Sequence, residues 1–275
     1  MKRLTLFLLL VFTTINVTAQ VTIAPTNLFI DSNNKFGTYM VINNSNEPQE
    51  IAVDFFFAYG NLDETGERRN VNDDPELEEK HSIADNIRAF PQNFVLQPSQ
   101  RQIVRLRVTG NTNGWDDGTY WARIKTAAAP QSQPIEVTST SEVSARVSMI
   151  IEQVTGLFYT VGETTTGITI DGIRTSLSED NILTVLADIQ RTGNSPFLGS
   201  ITTSLNNNRN ETVRQAFVST SIYFDGTHRQ SLNLNDIPKG TYTIKVDFVA
   251  ERSDVSSQDI ISMPPASQSI TYTVK

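Results

Sequence analysis

The tripeptide Gly-Thr-Tyr occurs twice in the chain, and each copy opens a stretch in which apolar and polar residues alternate. The first stretch is Gly118-Thr-Tyr-Trp-Ala-Arg-Ile-Lys125 and the second is Gly240-Thr-Tyr-Thr-Ile-Lys-Val-Asp-Phe248. Alternation with a period of two predicts a half-buried β-strand. A tyrosine at this place is typical of a tyrosine corner, in which the phenol is hydrogen-bonded to the preceding loop. Two copies about 120 residues apart predict two β-sandwiches in tandem.

The composition agrees with an all-β protein of two domains. The chain has 275 residues, enough for two domains of ordinary size, and it contains no cysteine. Packing alone must therefore hold each sandwich together. We predict two tandem immunoglobulin-like β-sandwich domains after a signal peptide, the first at residues 20–153 and the second at 154–275.

The first 19 residues have the three parts of a secretory signal peptide. A basic start, Met1-Lys-Arg3, is followed by the apolar run Leu4 to Ile15 and by the small-x-small site Val17-Thr-Ala19. The alternative is a membrane anchor, but spanning a bilayer takes about 20 apolar residues. We therefore predict export to the periplasm or the cell exterior, with no integral membrane segment in the mature chain.

The net charge of the chain bears on its partners. The formal charge is −8, and loss of Lys2 and Arg3 with the signal peptide makes it −10. A charge of this sign argues against nucleic acid and anionic membranes as general partners.

Two charged stretches each have two interpretations. The acidic segment from Asn61 to Asp85 is either a calcium-binding loop or a solvated loop, and the absence of EF-hand spacing favours the second. In the predicted strand Arg101 to Val108, three arginines face away from the apolar side chains. They either bind an anion or a partner, or pair with the acidic segment and keep the sheet soluble, and we favour the second interpretation.

Turn and strand signals refine the two domains. Pro25 predicts that the first strand is an edge strand or is interrupted, because proline lacks a backbone donor. Asp225-Gly226 predicts a β-hairpin in the second domain.

No pattern in the sequence predicts catalysis. The chain has no Gly-x-Ser-x-Gly elbow, no His-Glu-x-x-His motif and no phosphate-binding glycine loop. Its two histidines, His81 and His228, are far apart in ordinary polar stretches. We therefore predict a protein that is not an enzyme and has no metal or cofactor.

The order of several motifs in the first half resembles the first domain of periplasmic pilus chaperones of the PapD-like superfamily. The motifs are Phe90-Pro91, Phe94, Leu96-Gln-Pro98, Gln102, Val104-Arg105-Leu106 and Gly118-Thr-Tyr-Trp121. Ser99 stands where the family usually has glycine. The resemblance covers about half of the mature chain, and the second domain matches the family only in type.

This resemblance implies a function and a site. Chaperones of this family bind a secreted, pilin-like subunit by lending it the last strand of their first domain, here Glu142 to Ile151. Two basic residues of the family grip the terminal carboxylate of the subunit, and Asn27 and Ser148 stand at those positions. Arg146 lies on the same face as Ser148, and the implied partner-binding set is Asn27, Val143, Arg146, Val147 and Ser148. The alternative function is a structural or adhesive component of the cell envelope without chaperone activity.

Overall fold

The computed structural model describes residues 20–131 and 149–275 of the chain. The predicted signal peptide, residues 1–19, lies outside these ranges, and so do four predicted site residues, Val143, Arg146, Val147 and Ser148. The described residues form β-strands, with one short α-helix and one 3₁₀ turn at Ala84–Asn86. The predicted all-β fold class is confirmed.

The first sandwich consists of two facing sheets with a hairpin and a helix inserted between strands. Its elements are β1 (Val21–Ala24), β2 (Asn27–Asp31), β3 (Phe36–Asn43), β4 (Gln49–Phe56), β5 (Tyr59–Leu62), β6 (Arg68–Val71), α1 (Pro75–His81), β7 (Ile87–Phe90), β8 (Asn93–Leu96), β9 (Arg101–Val108), β10 (Gly118–Pro130) and β11 (Ile151–Val161). One sheet has the strand order β1-β3-β9-β7 and the other has the order β2-β11-β10-β4-β8.

The second sandwich is also made of two sheets. Its strands are β12 (Thr166–Leu177), β13 (Ile182–Gly193), β14 (Phe197–Asn206), β15 (Thr212–Ile222), β16 (Gly226–Asn233), β17 (Gly240–Val249) and β18 (Ala266–Val274). The sheet orders are β12-β13-β16 and β15-β14-β17-β18. Asp225 and Gly226 do not close the predicted hairpin, because they connect β15 in one sheet to β16 in the other.

Residue alternation decides which side chains enter each core. In β9, Val104, Leu106 and Val108 are buried, whereas the arginines between them are exposed. In β17, Ile244 and Val246 are fully buried in the core of the second sandwich. Burial of one such side chain stabilises a fold by about 1.5–3 kcal/mol, so packing can replace the disulfide that the chain lacks.

The first strand is interrupted at Pro25, as the sequence predicts. β1 pairs with β3 in one sheet, and β2 pairs in parallel with β11 in the other sheet. The chain therefore crosses between the sheets at Ala24–Thr26. Proline is tolerated there, because a residue between two sheets does not have to donate a backbone hydrogen bond to either of them.

The strand β11 belongs to the first sandwich. It pairs with β10 from Gly118 to Ala128 and with β2 from Asn27 to Asp31. The first pair of sheets therefore extends to Val161, past the predicted boundary at residue 153. The chain passes almost directly from β11 to β12, so no change in composition marks the boundary between the sandwiches.

Both predicted tyrosine corners are present. The Tyr120 hydroxyl donates a hydrogen bond to the Asp116 carbonyl oxygen at 3.2 Å. The Tyr242 hydroxyl donates to the Pro238 carbonyl oxygen at 2.9 Å. Each bond ties a strand to the backbone four residues earlier, as the Gly-Thr-Tyr motifs predict.

The acidic segment is folded, which corrects the favoured prediction of a solvated loop. It forms the hairpin β5–β6 and the helix α1. The Asp74 carboxylate caps the helix by accepting the Leu77 backbone N–H at 3.1 Å, and it also accepts the Tyr59 hydroxyl at 2.9 Å. Across residues 20–131 and 149–275, no three His, Cys, Asp or Glu side chains are grouped as a metal site would require. None of the helices in those ranges is long and apolar enough to cross a membrane.

We expect Tyr242→Phe to lower the free energy of unfolding by about 1 kcal/mol, because the Pro238 carbonyl oxygen loses its donor. Urea denaturation measures the change. The matched control is Tyr272→Phe, since Tyr272 lies directly opposite Tyr242 in β18 and its hydroxyl has no hydrogen-bond partner in the described chain. Equal losses in the two variants would contradict a special role for the corner.

Burial of His228 predicts a dependence of stability on pH. The pKa of His228 is lowered to about 4, chiefly because burial removes the imidazole from water; a hydrogen bond with Gln230 acts in the opposite direction, and the charge of nearby Arg68 contributes to the lowering. The unfolded chain binds this proton at about pH 6.5, so the stabilising effect is complete above that pH and is lost as the pH falls toward 4.

Between pH 7 and pH 4, we expect this group to remove about 3 kcal/mol from the free energy of unfolding of the natural protein. The His228→Gln variant should lack that part of the pH dependence. Urea denaturation at several pH values measures both profiles. Parallel profiles for the two proteins would contradict this prediction, because they would mean that His228 binds its proton equally well in the folded and the unfolded chain.

Candidate functional site

An aromatic cluster joins the two sandwiches, and we call it the aromatic joint. It consists of Phe57, Tyr59, Trp121, Phe158, Leu198 and Tyr223, with Phe224 packed against it. The Trp121 ring lies 4.9 Å from that of Tyr223, and the Tyr59 ring lies 4.9 Å from that of Phe224. The imidazole of His81, at the end of α1, stacks on Trp121 at 4.8 Å. Burial of rings of this size fixes how the sandwiches lie relative to each other.

Hydrogen bonds beside the aromatic joint connect the sandwiches at Gly118. The Thr119 hydroxyl donates to the Ser195 hydroxyl at 2.8 Å, and the Asn194 side-chain amide donates to the Asp117 carbonyl oxygen at 3.0 Å. Gly118 has φ +152°, and a Cβ there would lie 2.8 Å from the Asn194 carbonyl oxygen. Glycine is therefore required at this position by the close approach of the second sandwich.

Three arginines from separate parts of the chain bind the segment Thr220–Tyr223 at the edge of the aromatic joint, and we call them the arginine cluster. Arg123 comes from β10, Arg68 from β6 and Arg252 from the loop after β17. Arg123 donates to the Tyr223 hydroxyl at 3.0 Å, and Arg68 donates to the Thr220 hydroxyl. The cluster therefore lies in the cleft between the sandwiches.

Arg252 is the most enclosed member of the arginine cluster. Its side chain is only 11% exposed, and it binds the Asp254 carboxylate with two hydrogen bonds of 2.9 and 2.6 Å. A third bond, 3.1 Å long, goes to the Ser221 hydroxyl. A two-bond pair of this kind holds a guanidinium in a fixed orientation.

The arginine cluster has more positive than negative charge. Within the described chain, Asp254 is the carboxylate that pairs with these guanidiniums, and neither Arg68 nor Arg123 forms an ion pair. Burial lowers the pKa of Arg68, the charges of Arg123 and Arg252 lower it further, and Tyr223 acts in the opposite direction. A bound anion would relieve this repulsion, so the cleft is suited to a carboxylate or another anion.

One half of β11 has an open edge. β2 pairs with β11 only from Gly156 to Thr160, and none of the described residues pairs with Ile151–Thr155 on that side. We call Ile151–Thr155 the open edge. Val154 is 53% exposed there, and Ile150, just before the strand, is also exposed. Unpaired backbone groups beside apolar side chains are a template for another strand.

The open edge leads directly to the arginine cluster. Gly156 lies opposite Asn27 in β2 on one side and opposite Arg123 in β10 on the other. A Cβ on Gly156 would be 2.6 Å from the Asn27 Oδ1 and 3.6 Å from an Arg123 guanidinium nitrogen. The absence of a side chain at Gly156 therefore leaves room for the side chains of Asn27 and Arg123 on either side of it, at the end of the open edge.

Of the five predicted site residues, the structure describes Asn27. Asn27 does lie in the cleft, and its side-chain amide is 3.5 Å from the Asp254 carboxylate. Its neighbour in register on β11 is Gly156. The other predicted residues, Val143, Arg146, Val147 and Ser148, lie outside the described ranges.

Reasoning from the sequence missed the arginine cluster because its members are far apart in the chain. Arg68 and Arg252 lie in a loop insertion and a late loop, and nothing local connects them to Arg123. One signal was present in the first Gly-Thr-Tyr strand. Arg123 alternates with buried Ala122 and Ile124 and so shares a face with Trp121.

Comparison with known proteins finds similarity in solved structures alone. No family model matches the sequence, and no curated protein matches it. The chain is similar to a chain of the CsuC–CsuE chaperone-tip adhesion subunit pre-assembly complex from archaic chaperone-usher Csu pili of Acinetobacter baumannii, with 11% identity and a TM-score of 0.45. That alignment covers 91% of this chain and 98% of the other.

Two further solved structures are similar to the same extent. The E. coli chaperone DraB is 13% identical with a TM-score of 0.39, over 93% of this chain and 98% of that one. The Pseudomonas aeruginosa CupB2 chaperone is 8% identical with a TM-score of 0.44, over 92% of this chain and 100% of that one. Each of these three solved structures is described as a chaperone or as a complex that contains one.

We expect Trp121→Ala to lower the free energy of unfolding by about 3–5 kcal/mol and to separate the unfolding of the two sandwiches, because the central ring of the aromatic joint is lost. Differential scanning calorimetry measures both effects. Trp115→Ala is the control, since Trp115 packs on Tyr120 and Tyr159 of the first sandwich. A single cooperative transition in Trp121→Ala would contradict the role of the joint.

Proposed function

We propose that the protein is a chaperone-like binder of a secreted pilus or envelope subunit, exported to the periplasm or the cell exterior. The subunit adds a strand to the open edge of β11, and its terminal carboxylate binds the arginine cluster. The observation that carries the proposal is the position of the open edge, which ends at Asn27 and Arg123. No catalytic step is part of this function.

The direction of β2 supports a subunit strand that runs parallel to β11. β2 runs parallel to β11 and begins at Asn27, opposite Gly156. A subunit strand that lies along Ile151–Thr155 in the same direction has its carboxyl end beside Asn27. Its backbone groups pair with those that the open edge leaves free, which is the usual source of affinity in strand addition.

The charges of the arginine cluster support a terminal carboxylate as the group at the end of the subunit strand. Arg68 and Arg123 have no carboxylate partner among the described residues, and Asp254 compensates Arg252 alone. A terminal carboxylate placed between them accepts charge-assisted hydrogen bonds, which are stronger than neutral ones. An internal segment of a protein, which has no free carboxylate, gains only the strand pairing.

The choice of a pilus subunit as client comes from the motifs that resemble pilus chaperones. Arg146 remains the proposed basic arm on the last strand, and Val143, Val147 and Ser148 remain proposed contacts. Exposed Val154 lies in the open edge and exposed Ile150 just before it, with Glu152 between them. Apolar side chains at this spacing can enter the core of an incomplete subunit sandwich.

The test is capture of the client by the mature chain, residues 20–275, from the envelope fraction of its own host. We expect one secreted, strand-rich subunit at equal stoichiometry. Arg123→Glu should reduce recovery more than tenfold, because it places a negative charge where the carboxylate binds. Mass spectrometry with an isotope-labelled standard measures the ratio.

The control variant is Arg209→Glu, which reverses an exposed charge at the far end of the second sandwich, where Arg209 pairs with Glu211. It should capture as much subunit as the natural chain. Arg146→Glu is measured in parallel and tests the proposed basic arm on the last strand separately. Equal capture by Arg123→Glu would contradict the role of the cleft, and recovery of the protein alone or with polysaccharide would favour the structural or adhesive alternative.

A further inference from the structure

The outer face of the sheet β1-β3-β9-β7 is basic, although the chain as a whole is acidic. Arg101, Arg105 and Arg107 of β9 and Arg88 of β7 are all exposed there. We call this surface the arginine face. It belongs to the sheet that does not contain β11, so it is separate from the open edge and the arginine cluster.

The arginine face has no carboxylate of its own. None of its four guanidiniums forms an ion pair with any residue in 20–131 or 149–275, so the predicted pairing with the acidic segment is not found. Arg88 donates instead to the backbone carbonyl oxygens of Asp85 and Ile87, at 3.0 and 2.7 Å. The strands that build the face contribute no outward acidic side chain either.

The arrangement of the charges is unfavourable for the isolated protein. Arg88 and Arg107 lie directly opposite each other on neighbouring strands. Arg105 is two residues from Arg107 along the same face, a separation of about 7 Å. Like charges opposite each other in a sheet destabilise it, and a bound acidic partner would remove this cost.

Large apolar side chains lie between the arginines. Phe36 is 62% exposed, Ile103 is 57% exposed and Phe90 is 54% exposed. Phe36 lies opposite Arg107, and Phe90 lies opposite Arg105. Each of these two arginines therefore has an exposed aromatic side chain directly across the strand pair.

We propose that the arginine face docks a partner protein that presents acidic side chains alternating with aliphatic ones. Arginine and aromatic residues are enriched at the centres of protein interfaces, whereas lysine is depleted. The outward positions of these four strands include arginine but no lysine. An anionic membrane would attract lysine as well as arginine, so a face with arginine alone favours a protein partner. The net charge of −8 also opposes the approach of the chain to such a membrane. Rows of side chains two residues apart on a partner strand match the spacing of Arg105 and Arg107.

The test uses a fluorescent peptide of alternating glutamate and leucine, amidated at its carboxyl end so that the arginine cluster has no terminal carboxylate to bind. Fluorescence anisotropy with the mature chain should show saturable binding that weakens as salt is raised. The Arg105→Glu/Arg107→Glu variant should bind at least tenfold more weakly. Phe90→Ser should weaken binding severalfold, because the apolar contact is lost.

Two controls separate this surface from others. Arg209→Glu, on the second sandwich, and Arg123→Glu, in the cleft, should bind the peptide as the natural chain does. Circular dichroism confirms the fold of each variant, and Arg101→Glu gives a second, single-charge variant of the face. No binding of the peptide, equal binding by the double variant, or binding of phosphatidylglycerol vesicles in place of the peptide would each overturn the proposal.

Discussion

The burial of Trp121 against Tyr223 is the contact on which the functional geometry depends. These two rings, 4.9 Å apart, lie at the centre of the aromatic joint and fix one sandwich against the other. Arg123 and Arg252 come from different sandwiches, so they form one cluster only while the joint holds. If the sandwiches moved as on a hinge at this place, the arginines of each sandwich would be separate surface residues and would not form one binding site.

The two basic surfaces, the arginine cluster and the arginine face, differ in what they can bind. The arginine cluster lies in the cleft between the sandwiches, has one carboxylate of its own, and stands at the end of an open strand edge. The arginine face is flat, has no carboxylate and is mixed with aromatic side chains. The arginine cluster is suited to the terminal carboxylate of a chain, and the arginine face is suited to the surface of a partner protein. A protein of net charge −8 thus carries two groups of arginines at the surfaces where we propose that partners bind.

Features encoded in a few neighbouring residues could be predicted from the sequence, and features that join distant segments could not. The tyrosine corners at Tyr120 and Tyr242 follow from a local motif, and the exposure of Arg105 follows from alternation along β9. Asp225-Gly226 has hairpin composition, but composition does not specify which sheet each flanking strand joins. The arginine cluster depends on the folding of the acidic segment, which rests on tertiary packing around α1.

Hydrogen exchange at β11 tests most directly the central claim that a subunit strand adds to the open edge. Amides of Ile151–Thr155 are followed by mass spectrometry in the free chain and in an equimolar mixture with the captured subunit. We predict that exchange in this segment slows at least tenfold, while exchange at the far end of the second sandwich, around Asn207–Asn210, stays the same. Unchanged exchange at Ile151–Thr155 in a saturated complex would contradict the account, because the subunit would then be bound without strand addition.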